Sequence, residues 1–367
     1  MKKYLSLLGI LVIVTLLVAC NNEEPSPNES TTEAPREIGE FSPITTREFN
    51  VAEGEHGYVG VYVLEQMQDR FPYRLAFSDR ELETAEWIEE TLLQMGFEAE
   101  QIQVQSFDVD TPTTSWWGRP GWMMEMFESA GYYDGLEIIN TSQNIILTIP
   151  GRSEETIIIG AHYDSVGNPG ISDNASGMAL LLESAYRMQD VDHYYTLQFV
   201  FFGAEEVGLV GSFYFADNLS QGEVDNLILM INADVIMDGP NLIYAVGYIE
   251  GAAPETIWER PETRTNDLTR QIDEIADATN TDYDTELIAK PHAINLPSDH
   301  LAFLQFEVPV LVFYATHPVP YPEVFDGDVL HTPDDDLDFI MMNFPGRAER
   351  ALGSFGRFLE VILSSEF

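Results

Sequence analysis

Positive charge and thiol are what this sequence has least of. Over 367 residues, 17 Lys and Arg stand against 62 Asp and Glu, a formal net charge of −45. A nucleic-acid backbone would be repelled by such a chain, which excludes nucleic acid as a partner. A single Cys excludes a disulfide framework and any thiolate metal cluster. Apolar residues still make up 45% and aromatic residues 11%, too much for a disordered chain and enough for a sizeable core. The length fits one large domain, or one domain carrying a substantial insertion.

The one Cys has a telling place. Lys2 and Lys3 precede an apolar run from Tyr4 to Ala19 that ends in Leu17, Val18, Ala19 and Cys20. Ser6, Gly9 and Thr15 interrupt the run, which is short for a transmembrane helix and suits a secretory signal. The Cys where the small residues end resembles the lipobox of bacterial lipoproteins. That resemblance implies removal of residues 1–19, a lipid-modified Cys20, and an extracytoplasmic protein anchored to the cell membrane. An uncleaved anchor, or plain secretion with an incidental Cys, is the alternative. Pro, Ser, Thr, Asn and Glu dominate the next stretch, read as a flexible acidic tether over 20–45 ahead of a folded domain over 46–367. Loss of the two leading lysines leaves 15 cations against 62 acids, a charge of −47, with Lys290 the only lysine beside 14 arginines. Salt screens such self-repulsion, and Arg stays charged where Lys titrates, so the composition suits surroundings of high salt or high pH.

Strands and helices alternate through the body. Ser78-Asp79-Arg80-Glu81 reads as a capping box opening a helix to about Met95 that stops at Gly96. Strands are expected at Ile102–Phe107, Asn144–Ile149, Thr156–Ala161, Leu197–Phe202, Leu227–Ala233 and Val308–Phe313. Helices are expected near Ser176–Met188, Leu209–Asp217, Asn266–Ala278, Asp299–Leu304 and Gly346–Leu363. Apolar strands between helices predict an α/β fold, a single α/β/α sandwich with a mostly parallel, mixed central sheet and helices on both faces. Residues 111–135, with Trp116, Trp117, Trp122, Met123, Met124, Met126 and Phe127, break the pattern and read as an insertion: a lid, a substrate wall, a contact surface or plain core.

Chemistry gathers where strands end. His162 and Asp164 follow Ile157-Ile158-Ile159, Glu205 and Glu206 follow Val200-Phe201-Phe202, and Asp234 follows Leu229-Met230-Ile231. The carboxyl edge of an open α/β sheet is where ligands bind. Carboxylates delivered to one edge by three strands would repel each other unless cations lie between them. Imidazole and carboxylate without thiolate suit zinc, or another divalent ion such as manganese or cobalt. In His162-Tyr163-Asp164 the two polar side chains share one side of an extended backbone, so Asp164 can accept from the far imidazole nitrogen and fix its tautomer.

The blocks Gly160-Ala161-His162-Tyr163-Asp164-Ser165, Ser172-Asp173-Asn174-Ala175-Ser176-Gly177 and Gly203-Ala204-Glu205-Glu206-Val207-Gly208 resemble the M28 family of co-catalytic zinc peptidases. Asn232-Ala233-Asp234, Ser298-Asp299-His300 and His331-Thr332-Pro333-Asp334-Asp335 continue the resemblance in order. The eleven positions from His162 to Asp173 set it apart from the related M20 hydrolases, whose interval is typically longer. The resemblance implies one zinc held by His162, Asp173 and Asp234 and a second by Asp173, Glu206 and His331, with Asp173 bridging. It implies Glu205 as general base, Asp164 beside it in the catalytic set, and Ser298, Asp299 and His300 as substrate or outer-shell residues. Small residues at Ala175, Ser176 and Gly177 would let a helix start close to the site. Many family members carry a Tyr before the last His ligand; here Leu330 stands there, which leaves the carbonyl-polarising role to another donor, such as Tyr321, or to the metals.

The implied activity is that of an exopeptidase acting on peptides. Surplus carboxylates would welcome a substrate amine, and the scattered Arg119, Arg152 and Arg260 offer no cluster for a C-terminal carboxylate, which favours an aminopeptidase. A carboxypeptidase or glutaminyl cyclase uses the same scaffold. A lipid-anchored binding protein for a transporter would also fit signal, tether and body, but has no use for a carboxylate such as Glu205 that binds no metal.

Overall fold

A computed structural model describes residues 55–114, 121–251, 262–316 and 329–367, all within the unit Ile44–Phe367. The signal, Cys20 and the tether lie outside the described residues, as do Trp116, Trp117, Arg119, Arg260 and Tyr321. Eight strands form one sheet: β1 (Ile102–Asp108), β2 (Thr141–Ile149), β3 (Thr156–His162), β4 (Thr196–Phe202), β5 (Leu227–Ala233), β6 (Asn241–Gly247), β7 (Leu287–Ala289) and β8 (Val310–Thr316). They lie in the order β1-β2-β4-β3-β5-β8-β6-β7. The four central strands β4, β3, β5 and β8 run parallel, while β2 joins β4, and β6 joins β8, antiparallel. The sheet is mixed with a parallel heart, as expected.

Alternation of side chains sorts the core into two layers. Ile157, Ile159, Phe199, Phe201, Leu229 and Ile231 pack with helices α1 (Tyr58–Arg70), α2 (Asp79–Gln94), α4 (Ser176–Met188), α7 (Asp267–Tyr283) and α9 (Arg347–Ser364). Ile158, Val200, Phe202 and Met230 pack on the other face with α5 (Val210–Asp217) and the short 3-10 turns at Asp299–Ala302 and Leu304–Phe306. The remaining helices are α3 (Gly121–Ser129), α6 (Gln221–Asn226) and α8 (Leu337–Asn343).

Two local expectations change. Ser78 caps α2 by accepting from Glu81 N–H, but Glu81 does not close the box on Ser78. Its buried carboxylate instead takes the N–H of Phe77 (2.5 Å), the Ser142 hydroxyl (2.8 Å) and the N–H of Ala204 (2.9 Å). The Val-rich α1 gave no helix signal. Its N-terminus is satisfied from afar, where the Glu183 carboxylate accepts from Gly57 and Gly60 N–H at 2.8 Å each. In the insertion, α3 buries Met123, Met124 and Phe127 while Trp122 is half exposed, and the Tyr133 hydroxyl donates to Ala76 O (2.7 Å). The described part of the segment thus packs over the approach to α2. His56 and His193, given no role from sequence, meet Glu360 and the Tyr195 carbonyl, each at 2.6 Å.

Candidate metal centre

Four expected ligands stand where the chain leaves, or is about to enter, an element. His162 is the last residue of β3, Asp234 follows β5, and Glu206 lies in the turn after β4. Asp173 lies in the turn Ile171–Ala175 that leads into α4. His331 belongs to no helix or strand. The parallel strands β4, β3 and β5 end side by side, which brings these side chains to one edge.

The distances are short. His162 Nε2 is 3.2 Å from Asp173 Oδ1 and 3.1 Å from Asp234 Oδ1. His331 Nε2 is 2.9 Å from Asp173 Oδ2 and 3.5 Å from Glu206 Oε2. Asp173 thus divides its two oxygens between two histidines. The trios His162–Asp173–Asp234 and Asp173–Glu206–His331 each bring donor atoms within 4.8 Å of one another, and so does His162–Glu205–Glu206. Geometry alone therefore leaves Glu205 free to be base or ligand.

The donors fit a pair of cations. His162 Nδ1 lies 3.2 Å from the Asp164 carbonyl and 3.4 Å from its carboxylate, which assigns the proton of a neutral ring to Nδ1. Nε2 then turns its lone pair toward two carboxylate oxygens, an arrangement that repels itself unless a cation or proton intervenes. Glu206 Oε1 is buried with no hydrogen-bond partner. Tetrahedral zinc with bonds of ~2.0–2.1 Å separates neighbouring donors by about 3.3 Å. The four His-to-carboxylate separations of 2.9 to 3.5 Å bracket that value.

Proton affinities respond to the crowding. Burial alone would lower both rings. Asp234 and Glu205 around His162, and Glu206 and Asp173 around His331, raise them well above the imidazole range. Burial lifts Glu205 well above the carboxylate range, with Glu206 and Asp299 adding to it against the pull of His162. Burial and the Asp173 charge push Glu206 up to about 7. Burial would raise Asp173 as well, but hydrogen bonds from His162 and His331 outweigh it and hold Asp173 below its usual range.

Around these side chains lies a second ring of polar contacts. Asp164 does more than face His162: its two oxygens accept from Glu205 N–H (3.0 Å) and Glu206 N–H (3.1 Å). Ser298 Oγ donates to Asp234 Oδ2 (2.7 Å) and accepts from Asn232 (2.8 Å). His300, lowered by burial to about 4, points Nε2 at the Ile294 carbonyl (3.1 Å) and braces its own loop. Asp299 is fully buried, and burial first, then the Asp234 and Asp164 charges, carry it up to about 7. Leu330 contributes a backbone N–H to Asp238 (3.1 Å). Non-glycine residues with left-handed φ sit at Ala204 (55°), Val235 (51°) and His331 (55°), each at or beside a site residue. Such conformations cost ~1–3 kcal/mol and persist where surroundings enforce them. Glu81 holds Ala204, and Asn174 Oδ1 accepts from Val235 N–H (3.3 Å).

Two residues essential to this frame escaped the sequence reading. Glu81 is one. The other is Arg74, wholly buried, whose guanidinium donates to the carbonyls of Tyr163 (2.6 Å), Phe71 (3.0 Å), Pro169 (2.8 Å) and Gly170 (2.7 Å). It ties down the loop that joins His162 to Asp173. Burial lowers it to about 10, so it stays charged at neutral pH. Glu81 carries only the local signal of a capping box and Arg74 none, because the partners that give them these roles, Ser142, Ala204, Tyr163, Pro169 and Gly170, are distant in sequence.

Comparison with known proteins gives the family and the fold. The description of peptidase family M28 matches residues 144–355. The chain belongs to peptidase family M28. Among curated relatives, the aminopeptidase YwaD of Bacillus subtilis is 39% identical over 100 residues, 26% of this chain and 22% of YwaD. The probable lipoprotein aminopeptidase LpqL of Mycobacterium tuberculosis is 38% identical over 98 residues, 26% of this chain and 20% of LpqL. The chain thus spans about a fifth of the length of these relatives. The fold is shared with a solved zinc aminopeptidase from Bacillus subtilis (TM-score 0.61, 17% identity, 84% of this chain and 96% of that one). It is shared also with an Acidobacteriales glutaminyl cyclase (TM-score 0.57, 18% identity, 93% and 98%). The M28 fold is the α/β sandwich expected from the strand pattern.

Proposed function

We propose that this M28 chain is a two-zinc aminopeptidase that releases N-terminal residues from peptides. The observation that carries the reading is the division of Asp173 between His162 and His331, which suits one carboxylate bridging two ions. One zinc would be held by His162, Asp173 and Asp234, the other by Asp173, Glu206 and His331. When bound, the ions supply Lewis-acid polarisation of the scissile carbonyl and acidify the attacking water. Glu205 is the general base: its carboxylate lies beside Glu206, within 4.8 Å of donor atoms of His162 and Glu206, placed to take a proton from that water and return it to the leaving amine. Asp164 orients both His162 and the Glu205–Glu206 backbone. Ser298 steadies Asp234.

Two features support the amino over the carboxyl end. The relatives above are named aminopeptidases. Arg74, which lies among these carboxylates, spends its donors on four backbone carbonyls and greets no substrate carboxylate. At the N-terminus, lipid attachment at Cys20 and a tether over 20–45 are supported by the signal-like sequence and by the lipoprotein relative. Among the described residues no helix is long and apolar enough to cross a membrane.

The test is hydrolysis of a leucyl chromogenic amide beside its N-acetylated twin, with and without a zinc chelator, and a glutaminyl peptide scored for cyclisation. Cleavage of the free-amine substrate alone, abolished by chelation, is expected. Glu205→Gln should retain zinc while kcat falls by ~10²–10⁴. Equal cleavage of the acetylated twin, or full activity of Glu205→Gln, would refute the assignment, and cyclisation without cleavage would replace it.

A further inference from the structure

His331 is held differently from the other ligands. Strand β8 ends at Thr316, and the described chain resumes at Val329. From Val329 to Asp335 there is neither helix nor strand, and His331 itself has a left-handed φ of 55°. Thr332 N–H and Oγ1 both donate to the Val329 carbonyl, at 3.0 and 2.9 Å, closing a turn around the histidine.

Two buried acids grip the ends of this stretch. Upstream, Asp238 Oδ1 accepts from Val329 N–H (2.9 Å) and Leu330 N–H (3.1 Å). Downstream, the Asp335 carboxylate accepts from Ser172 N–H (2.5 Å) and Asp173 N–H (3.0 Å), and its carbonyl accepts from Ile171 N–H (3.4 Å). The two acids differ in reach. Asp335 holds the backbone of Asp173, the residue shared between the histidines. The Asp238 carboxylate holds the approach to His331, while its carbonyl accepts from Arg347 (3.4 Å). Asp234, four positions before Asp238, is fixed independently by Ser298 (2.7 Å) and by its N–H on the Phe313 carbonyl (3.0 Å).

We propose that Asp238 is a positioning residue for the second metal alone: by clamping Val329 and Leu330 it keeps the His331 ring at Asp173 and Glu206. This rests on the two-metal reading above. Side chains that orient metal ligands without touching the metal change affinity by ~10–100-fold. Asp238 supplies a selective form of that control, because the first site shares no support with it. Asp335 supplies the unselective form.

The experiment titrates Zn²⁺ into chelator-stripped protein by calorimetry and counts bound zinc by elemental analysis, with circular dichroism to check the fold. The unsubstituted chain should take up two zinc ions. Asp238→Ala should keep one at unchanged affinity and bind the other ~10–100-fold more weakly. Asp335→Ala should be weakened at both sites. Asp238→Asn keeps an acceptor oxygen of the same size and loses only the charge that strengthens the bond, so it should weaken the second zinc by less than ~10-fold. If Asp238→Ala does not fold, the Asn variant decides the matter on that selective weakening. Two unchanged affinities in Asp238→Ala, or equal losses at both sites, would overturn the assignment. Uptake of fewer than two zinc ions by the unsubstituted chain would instead overturn the two-metal reading, and this proposal with it.

Discussion

Stripped of metal, this protein should lose stability as the pH rises from about 5 to about 8, the reverse of ordinary acid denaturation. Glu206 is lifted from 4.5 to about 7 by burial and by the Asp173 charge. Between those values the folded chain keeps a proton that the unfolded chain has released, so the unfolding free energy falls with pH. At about 1.36 kcal/mol per unit, a rise from 4.5 to about 7 amounts to about 3 kcal/mol for this residue. Glu205 is raised in the same direction. His162 and His331 are raised too, so their contribution is complete below the unfolded imidazole value and lost as the pH climbs through the folded one. Asp173 is held low, and its contribution, lost only on acidification below the ordinary carboxylate range, is level across this window, while His300, lowered by burial to about 4, opposes the fall up to the ordinary imidazole value. Because these groups interact, the protons belong to the cluster, and Glu206→Gln isolates one share. The assay is urea unfolding of chelator-treated protein at constant ionic strength across this range, repeated with saturating zinc. The metal-free protein should fall by several kcal/mol, a large part of an ordinary stability of ~5–15 kcal/mol. Glu206→Gln should show a shallower slope, and zinc should abolish the fall while releasing protons near pH 6. A metal-free protein as stable at pH 7.5 as at pH 5 would refute the reasoning.

Two substitutions probe the frame. Arg74→Met strands four buried carbonyls at ~1–3 kcal/mol each, enough to consume much of the folding margin; a loss below about 2 kcal/mol in urea unfolding would show that water replaces the guanidinium. Gly177→Ala places a Cβ on the Ala233 carbonyl beside Asp234, so zinc affinity should drop while α4 still forms; unchanged affinity in a zinc titration would mean the helix start yields freely.

The candidate ligands His162, Glu206 and Asp234 were legible because their signal is local, an apolar strand followed closely by His, Glu or Asp, while Asp173 and His331 came only from the family motifs. The sheet was legible for the same reason, since each central strand is a run of buried residues. What stayed hidden depends on distant partners. No element was expected over Tyr58–Arg70, and α1 forms there because Glu183 caps it and its apolar side joins the core. Glu81 reads as half of a capping box, and only the folded sheet brings Ser142 and Ala204 to it. Asp335 and Asn174 lay within the motifs, but their hold on neighbouring backbone is a matter of three dimensions. Asp238 had no motif at all.

His162 and His331 stand 169 positions apart (331 less 162), and the donors between them come from separate strands and turns that meet at one edge of the sheet. No contiguous fragment of the chain owns the centre. Zinc that binds only the finished fold adds to its stability by mass action, and here it does so by stitching segments that are remote along the chain. On the two-metal reading, metal uptake would be an assembly checkpoint: a partly folded chain, or one cut between Asp234 and His331 with the pieces parted, would be inert for want of a complete set of donors. Chelation, for its part, should loosen the molecule along the whole carboxyl edge of the sheet instead of at one loop.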